Sequence, residues 1–142
     1  MLTKKITYTD YNGEERTETF YFNISKAELT KLQFMHPGGY SEYLERIIAS
    51  KDIAQLMQAF DDLVDLSYGE KSEDGKRFIK SAELTKAFKE TEAYSEMFTE
   101  LLSNSEAAQQ FATGILPPMD MTEDEKAKLN ARTKELIDSK KE

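Results

Sequence analysis

At 142 residues, with 39% apolar and 32% charged side chains and a formal charge of −8, the chain has the size and composition of one globular domain around a single core. No apolar run approaches the roughly 20 residues that span a bilayer, and the start, Met1-Leu2-Thr3-Lys4-Lys5-Ile6, lacks the apolar stretch expected of a signal peptide. With no cysteine and one histidine, His36, the chain has no disulfide, thiol nucleophile, thiolate metal site or multi-histidine zinc site of its own.

Residues 1–24 read as a β-hairpin around Asn12-Gly13. A two-residue turn would scatter the apolar residues over both faces. A three-residue loop, Tyr11-Asn12-Gly13, gathers Leu2, Ile6, Tyr8, Phe20, Phe22 and Ile24 on one face. Burial decides register, because a slip of one residue turns every side chain over. The bulged loop is therefore expected, with Gly13 in its left-handed position.

Ser25-Lys26-Ala27-Glu28 is a capping box that starts a helix to about Phe34, stopped by Pro37-Gly38-Gly39. A second helix from about Tyr40 carries Leu44, Ile47 and Ile48. Asp52 caps a third, in which Ile53, Leu56, Met57, Phe60, Leu63 and Val64 share one face. The helical pattern breaks from Tyr68 to Ser81, where Asp74-Gly75 signals a turn. Helices are expected again over Ser81–Lys89, Thr91–Leu102 and from Ser105 to Gly114. Pro117-Pro118 marks a boundary. The predicted fold is mainly α: one domain over 1–118, comprising the hairpin (1–24) packed on a compact bundle of five or six helices (25–116). A charged, partly helical tail follows over 119–142, opened by the capping box Thr122-Glu123-Asp124-Glu125.

The excess acid is concentrated. Residues 41–118 hold fifteen acidic and eight basic side chains, while both flanks nearly balance. Such a surface repels phosphates and anionic lipid, so protein partners are expected rather than nucleic acid or membrane. No nucleophile, base and orienting group gather into a catalytic motif, and Pro37-Gly38-Gly39 lacks the lysine of a phosphate loop. No enzyme activity and no cofactor are expected. Glu70, Glu73 and Asp74 lie beside glycines, but their spacing is not that of a calcium loop and Lys71, Lys76 and Arg77 sit among them, so a solvated turn is expected.

Glu92, Glu96 and Glu100 stand four apart, stacked along one side of a helix, where like charges repel. Either Lys86, Lys89 or Arg46 neutralises them, or the stripe faces a basic partner helix. The Met and aromatic residues of 88–121 have the spacing of a core, which leaves Met119 and Met121, beyond the prolines, as candidate partner contacts.

One stretch carries a resemblance: Tyr68-Gly69-Glu70-Lys71-Ser72-Glu73-Asp74-Gly75-Lys76-Arg77-Phe78-Ile79-Lys80, continued by Phe88, Thr91, Glu92-Ala93-Tyr94 and Phe98-Thr99-Glu100-Leu101. Its motif residues are Tyr68, Gly69, Ser72, Asp74, Gly75, Phe78, Phe88, Thr91, Ala93, Tyr94 and Phe98. The spacing resembles the tail assembly chaperones of long-tailed phages that infect Gram-positive hosts, over roughly residues 53–102. The resemblance implies a small, mostly helical protein of the host cytoplasm. Such a protein binds the tape measure protein, keeps it soluble, helps the tail tube protein polymerise around it and is absent from the finished particle. It also implies that the chain is a short form, or the domain shared with a frameshifted long form. Lining a long client with many copies suggests self-association, through the hairpin edge or the tail. The alternatives are a structural virion component, such as a head–tail connector or tail completion protein, and a small acidic inhibitor of a host factor.

Overall fold

The computed structural model describes residues 1–36, 38–50 and 52–117. Strands β1 (Leu2–Thr9) and β2 (Glu15–Phe22) pair antiparallel, with Leu2 opposite Phe22 and Thr9 opposite Glu15. The Asp10 amide donates to the Glu14 carbonyl and the Gly13 amide to the Asp10 carbonyl, so the loop is Tyr11-Asn12-Gly13. Gly13 has a φ of 80°, as the bulged loop requires. Ile6, Tyr8, Phe22 and Ile24 are buried and Leu2 and Phe20 half-buried, while Thr3, Lys5, Thr7, Thr9, Glu15, Thr17 and Thr19 are exposed.

Helix α1 (Lys26–Met35) opens with both halves of its capping box: the Glu28 amide donates to Ser25 Oγ and the Ser25 amide to Glu28 Oε1. Helix α2 (Tyr40–Ser50) buries Tyr40, Leu44, Ile47 and Ile48. Asp52 caps α3 (Ile53–Ser67) by accepting from the amides of Ala54 and Gln55.

The inner face of α3 departs from the sequence expectation. Leu56, Phe60, Leu63 and Val64 are buried, but Ile53 and Met57 are exposed. The buried line runs instead through Ala59 and Ser67, whose small size lets neighbouring elements approach closely. The Ser67 hydroxyl satisfies itself by donating to the Leu63 carbonyl at 2.6 Å.

Residues 68–81 form more than a turn. Strands β3 (Tyr68–Lys71) and β4 (Phe78–Ile79) make a second hairpin, closed where the Ser72 amide donates to the Arg77 carbonyl. β3 pairs with β2, Tyr21 opposite Gly69 and Phe22 opposite Tyr68, so the sheet has the order β1-β2-β3-β4. Helices α4 (Ala82–Lys89), α5 (Glu92–Ser103) and α6 (Ser105–Ile115) follow, with α5 packed across β1 and against α6. The fold is mainly α with an amino-terminal β-hairpin. Among the described residues, no helix is long and apolar enough to cross a membrane.

Phe22 is the centre of the core. It is fully buried, and its ring lies 5.7 Å from Tyr68, 5.8 Å from Phe88 and 5.2 Å from Phe111. Those three partners come from β3, α4 and α6. Burying an aromatic side chain is worth about 1.5–3 kcal/mol, with edge-to-face contacts adding about 0.5–1.5 kcal/mol per pair. One strand residue thus holds three later elements together.

Candidate functional site

The acidic stripe lies on α5. Ala93, Met97 and Leu101 bury the inner face of this helix, which places Glu92, Glu96 and Glu100 on its flank, with Glu96 and Glu100 exposed. The cations expected to neutralise the stripe do not do so. Lys89 is held by Asp61 at 2.8 Å and Asp65 at 2.6 Å, and neither Lys86 nor Arg46 forms an ion pair with the stripe among the described residues. The amino-terminal hairpin supplies partners instead. Lys4 Nζ stands 3.5 Å from Glu100 Oε2, and the Tyr11 hydroxyl donates to Glu92 Oε1 at 2.9 Å. Glu96, between them, has no ion pair or hydrogen bond among the described residues. Exposed pairs of this kind contribute about 0.2–1 kcal/mol, so cations of a docking partner can replace them at little cost.

The motif residues build structure rather than surface. Tyr68 stacks on Phe88 at 4.4 Å, Phe88 meets Tyr94 at 5.7 Å, and Tyr94 stacks on Phe98 at 5.4 Å. These residues form an aromatic column from β3 through α4 into α5. Ala93 is fully buried beside it, and Thr91 is the N-cap residue of α5. In the second hairpin, Asp74 accepts from the Ser72 hydroxyl and the Lys76 amide, which hold its carboxyl below the usual carboxylate range. Gly75 follows with a φ of 75°. Gly69 lets Phe78 and the Ile79 carbonyl close over β3: a Cβ there would stand 2.5 Å from Ile79 O.

Two further clusters join residues from different elements, and while the acids Asp61, Asp62 and Asp65 were expected on the polar side of the third helix, their partners Lys89 and Tyr94 were not. Asp61, Asp62 and Asp65 bring carboxylate oxygens within 4.8 Å of one another on α3, and the Lys89 ammonium sits against two of them. The Tyr94 hydroxyl also donates to Asp61, at 3.0 Å. The Lys89 ammonium holds the Asp61 carboxyl below the usual range, while burial and Asp61 push the Tyr94 hydroxyl up to about 12. The second cluster is aromatic: His36, the C-cap residue of α1, stacks on Tyr43 at 4.4 Å and lies 5.2 Å from Tyr40. Met119, Met121 and the capping box at Thr122 lie outside the described residues.

A groove of about 750 Å³ runs between α2 and α6. Leu44, Ile48 and Ala49 line one wall and Ala112, Leu116 and Pro117 the other.

No curated protein and no solved structure matches this chain. The family model described as phage tail assembly chaperone matches residues 1–142, so it takes in the hairpin and the carboxy-terminal residues as well as the 53–102 stretch that carries the visible motif. On this match along the whole length, the chain belongs to the phage tail assembly chaperone family.

Proposed function

We propose that the chain binds the tape measure protein and keeps it soluble while the tail tube polymerises, in the cytoplasm of a Gram-positive host cell. The observation that carries this reading is the family match over residues 1–142. The acidic stripe of α5 supports it with a docking face: three carboxylates on one flank of a helix, of which Glu100 is lightly held by Lys4 and Glu92 by Tyr11, offer a basic client helix sites spaced by one turn. The role is scaffolding, in which binding the client's apolar segments denies them to one another. Several copies along one client would require self-association. Among the described residues β1 is an edge strand of the sheet and the candidate contact for it, and Lys4 on its helix-packed face is a device that weakens edge-to-edge pairing in the absence of a client.

Co-expression with the tape measure protein of the same phage tests the reading. The client is expected in the soluble fraction with the chain present and in the pellet without it. Changing Glu92, Glu96 and Glu100 together to Gln should weaken binding at low salt and flatten its salt dependence. Unchanged affinity in the triple variant would remove the stripe from the site, and an insoluble client in the presence of wild-type chain would remove the function.

A further inference from the structure

Strand β2 is internal in the order of the sheet, yet over most of its length it has a partner on one side only. All eight of its residues pair with β1, whereas β3 meets it at Tyr21 and Phe22 alone. Hydrogen-bonding direction alternates along an antiparallel strand. The Asp10 amide donates to Glu14 across the first hairpin, and the Asn23 amide donates to Ser67 on the other side. Even-numbered residues of β2 therefore turn their amides and carbonyls toward β1, and odd-numbered residues turn theirs away. Glu15, Thr17 and Thr19, all exposed, present theirs to a side where no strand pairs with them among the described residues. Beyond Gly69 the second hairpin diverges from β2 and leaves a cleft of about 540 Å³. Glu18, Thr19 and Phe20 line one wall, and Glu70, Lys71 and Glu73 the other.

We infer that this cleft binds an extended, basic segment of a partner protein, added to the sheet as a strand beside residues 15–19 of β2. Main-chain hydrogen bonds supply the affinity of such an addition, and the side chains along the edge supply its selectivity. The edge is fit to receive a strand. It contains no proline, and its register with β1 runs unbroken from Glu15 to Phe22, so no bulge turns it aside.

Charge selects the occupant. Glu15, Glu18, Glu70 and Glu73 surround the edge, and none of them forms an ion pair among the described residues. The two nearby cations are already engaged: Arg16 is held by Asp10 at 2.5 Å, and Lys71 lies over the Tyr21 ring, 4.7 Å from its centroid. A strand with basic residues at alternate positions meets these acids. A second β2 would set Glu15 and Glu18 against their own copies, and like charges opposed across a strand pair are destabilising. The edge therefore accepts a basic strand and rejects its own duplicate.

This inference is independent of which client the α5 stripe holds. The probe is a capped, fluorescent peptide of alternating lysine and threonine, about eight residues long, the length of an ordinary strand. The full-length chain is expected to bind it at low salt; no binding would overturn the inference. Methylating the backbone nitrogens of every second residue blocks one edge of the probe. At least one of the two methylated series should bind more weakly by about tenfold, the loss of more than one main-chain hydrogen bond. Equal affinity of all three peptides would reduce the contact to charge alone and overturn the inference.

Two proline variants locate the contact. Thr17→Pro removes a donor from the free edge and leaves the β1 ladder, which that amide does not enter. Thr7→Pro is the matched control. Thr7 stands opposite Thr17, shares with it the same hydroxyl contact at 2.9 Å, and would lose its amide on the outer edge of β1 instead. Thr17→Pro is expected to weaken the probe about fivefold, with wild-type affinity in Thr7→Pro; equal weakening in both would overturn the inference. Glu70→Gln combined with Glu73→Gln, at two exposed positions, keeps the test open if a proline variant does not fold. It should bind more weakly and with a flatter salt dependence, and unchanged affinity would overturn the inference. Sedimentation of the chain without probe covers the remaining occupant: self-association that Thr17→Pro abolishes would give the edge to a second copy and overturn it.

Discussion

The Lys80 ammonium donates to both carboxylate oxygens of Glu28 at 2.9 Å, across 52 residues of sequence, and to the Leu66 carbonyl at 2.6 Å. Glu28 at the same time closes the capping box of α1 through the Ser25 amide. One carboxylate therefore starts a helix and fixes the exit of the second hairpin to it. Glu28→Gln keeps a capping group and loses the ion pair, which at this half-exposed site is worth about 0.2–1 kcal/mol. Glu28→Ala loses both, for about 1–2 kcal/mol in total. Urea midpoints of the two variants check the division: Ala no worse than Gln would show that the cap contributes nothing.

Acid should destabilise the fold in a defined window. The Lys89 ammonium holds Asp61 below the usual carboxylate range. For Glu28, burial raises the carboxyl, but the Ser25 amide and Lys80 outweigh it and the net shift is downward. Groups with lowered folded values bind fewer protons in the native state, so their stabilisation is present above the unfolded values, near pH 4, and is lost as pH falls through the lower folded ones. Urea midpoints are expected to be flat between about pH 7 and 5 and to drop below about pH 4. Lys89→Met should make that drop shallower. An identical acid profile in the variant would show that Asp61 is not the group responsible.

Alkali acts through tyrosine. Burial pushes Tyr40 upward, and burial together with Asp61 pushes Tyr94 up to about 12. A raised folded value means that the native state keeps a proton the unfolded chain gives up near pH 10. The associated stability is complete below that pH and is lost as pH rises through the folded value. Tyrosinate absorbance and helical circular dichroism should therefore change together for these two residues above pH 10. Ionisation of Tyr40 and Tyr94 near pH 10 with the helices intact would contradict their burial; Tyr94→Phe and Tyr40→Phe identify their share of the absorbance.

The two glycines of the second hairpin should fail differently. Gly69→Ala puts a Cβ 2.5 Å from the Ile79 carbonyl and 2.6 Å from the Phe78 ring, an overpacking that costs about 1–3 kcal/mol and separates β3 from β4. Gly75→Ala meets no atom within 4 Å but must hold a φ of 75°, at about 1 kcal/mol. Thermal melts rank them. Amide exchange at Ser72 should rise more in Gly69→Ala than in Gly75→Ala, and the reverse order would assign the strain to the turn.

Features set by neighbouring residues were legible in the sequence. Burial of Ile6, Tyr8, Phe20 and Phe22 dictated the hairpin register, and Ser25, Glu28 and Asp52 announced their helices by local hydrogen bonding. Features that depend on distant partners were not. Tyr68–Lys71 is too short to read as a strand until Tyr21 and Phe22 pair with it. The third helix placed Ser67 at its buried seam, where hydropathy gives a serine little weight. The acidic stripe was visible, but Lys4 and Tyr11 reach it from some eighty to a hundred residues away, and no local rule points to them.

The contact between Leu2 and Gly114 also sets the order in which the molecule is finished. A Cβ on Gly114 would stand 2.8 Å from the Leu2 side chain, and the Ile24 amide donates to the Ile115 carbonyl. Strand β1 is covered by α6, the last helix among the described residues. On the ribosome, which adds about 5–20 residues per second, the apolar face of the hairpin waits several seconds for α6. This member of the tail assembly chaperone family thus passes through an unshielded interval of its own during synthesis, and its yield should depend on how fast residues 92–115 follow the hairpin out of the exit tunnel.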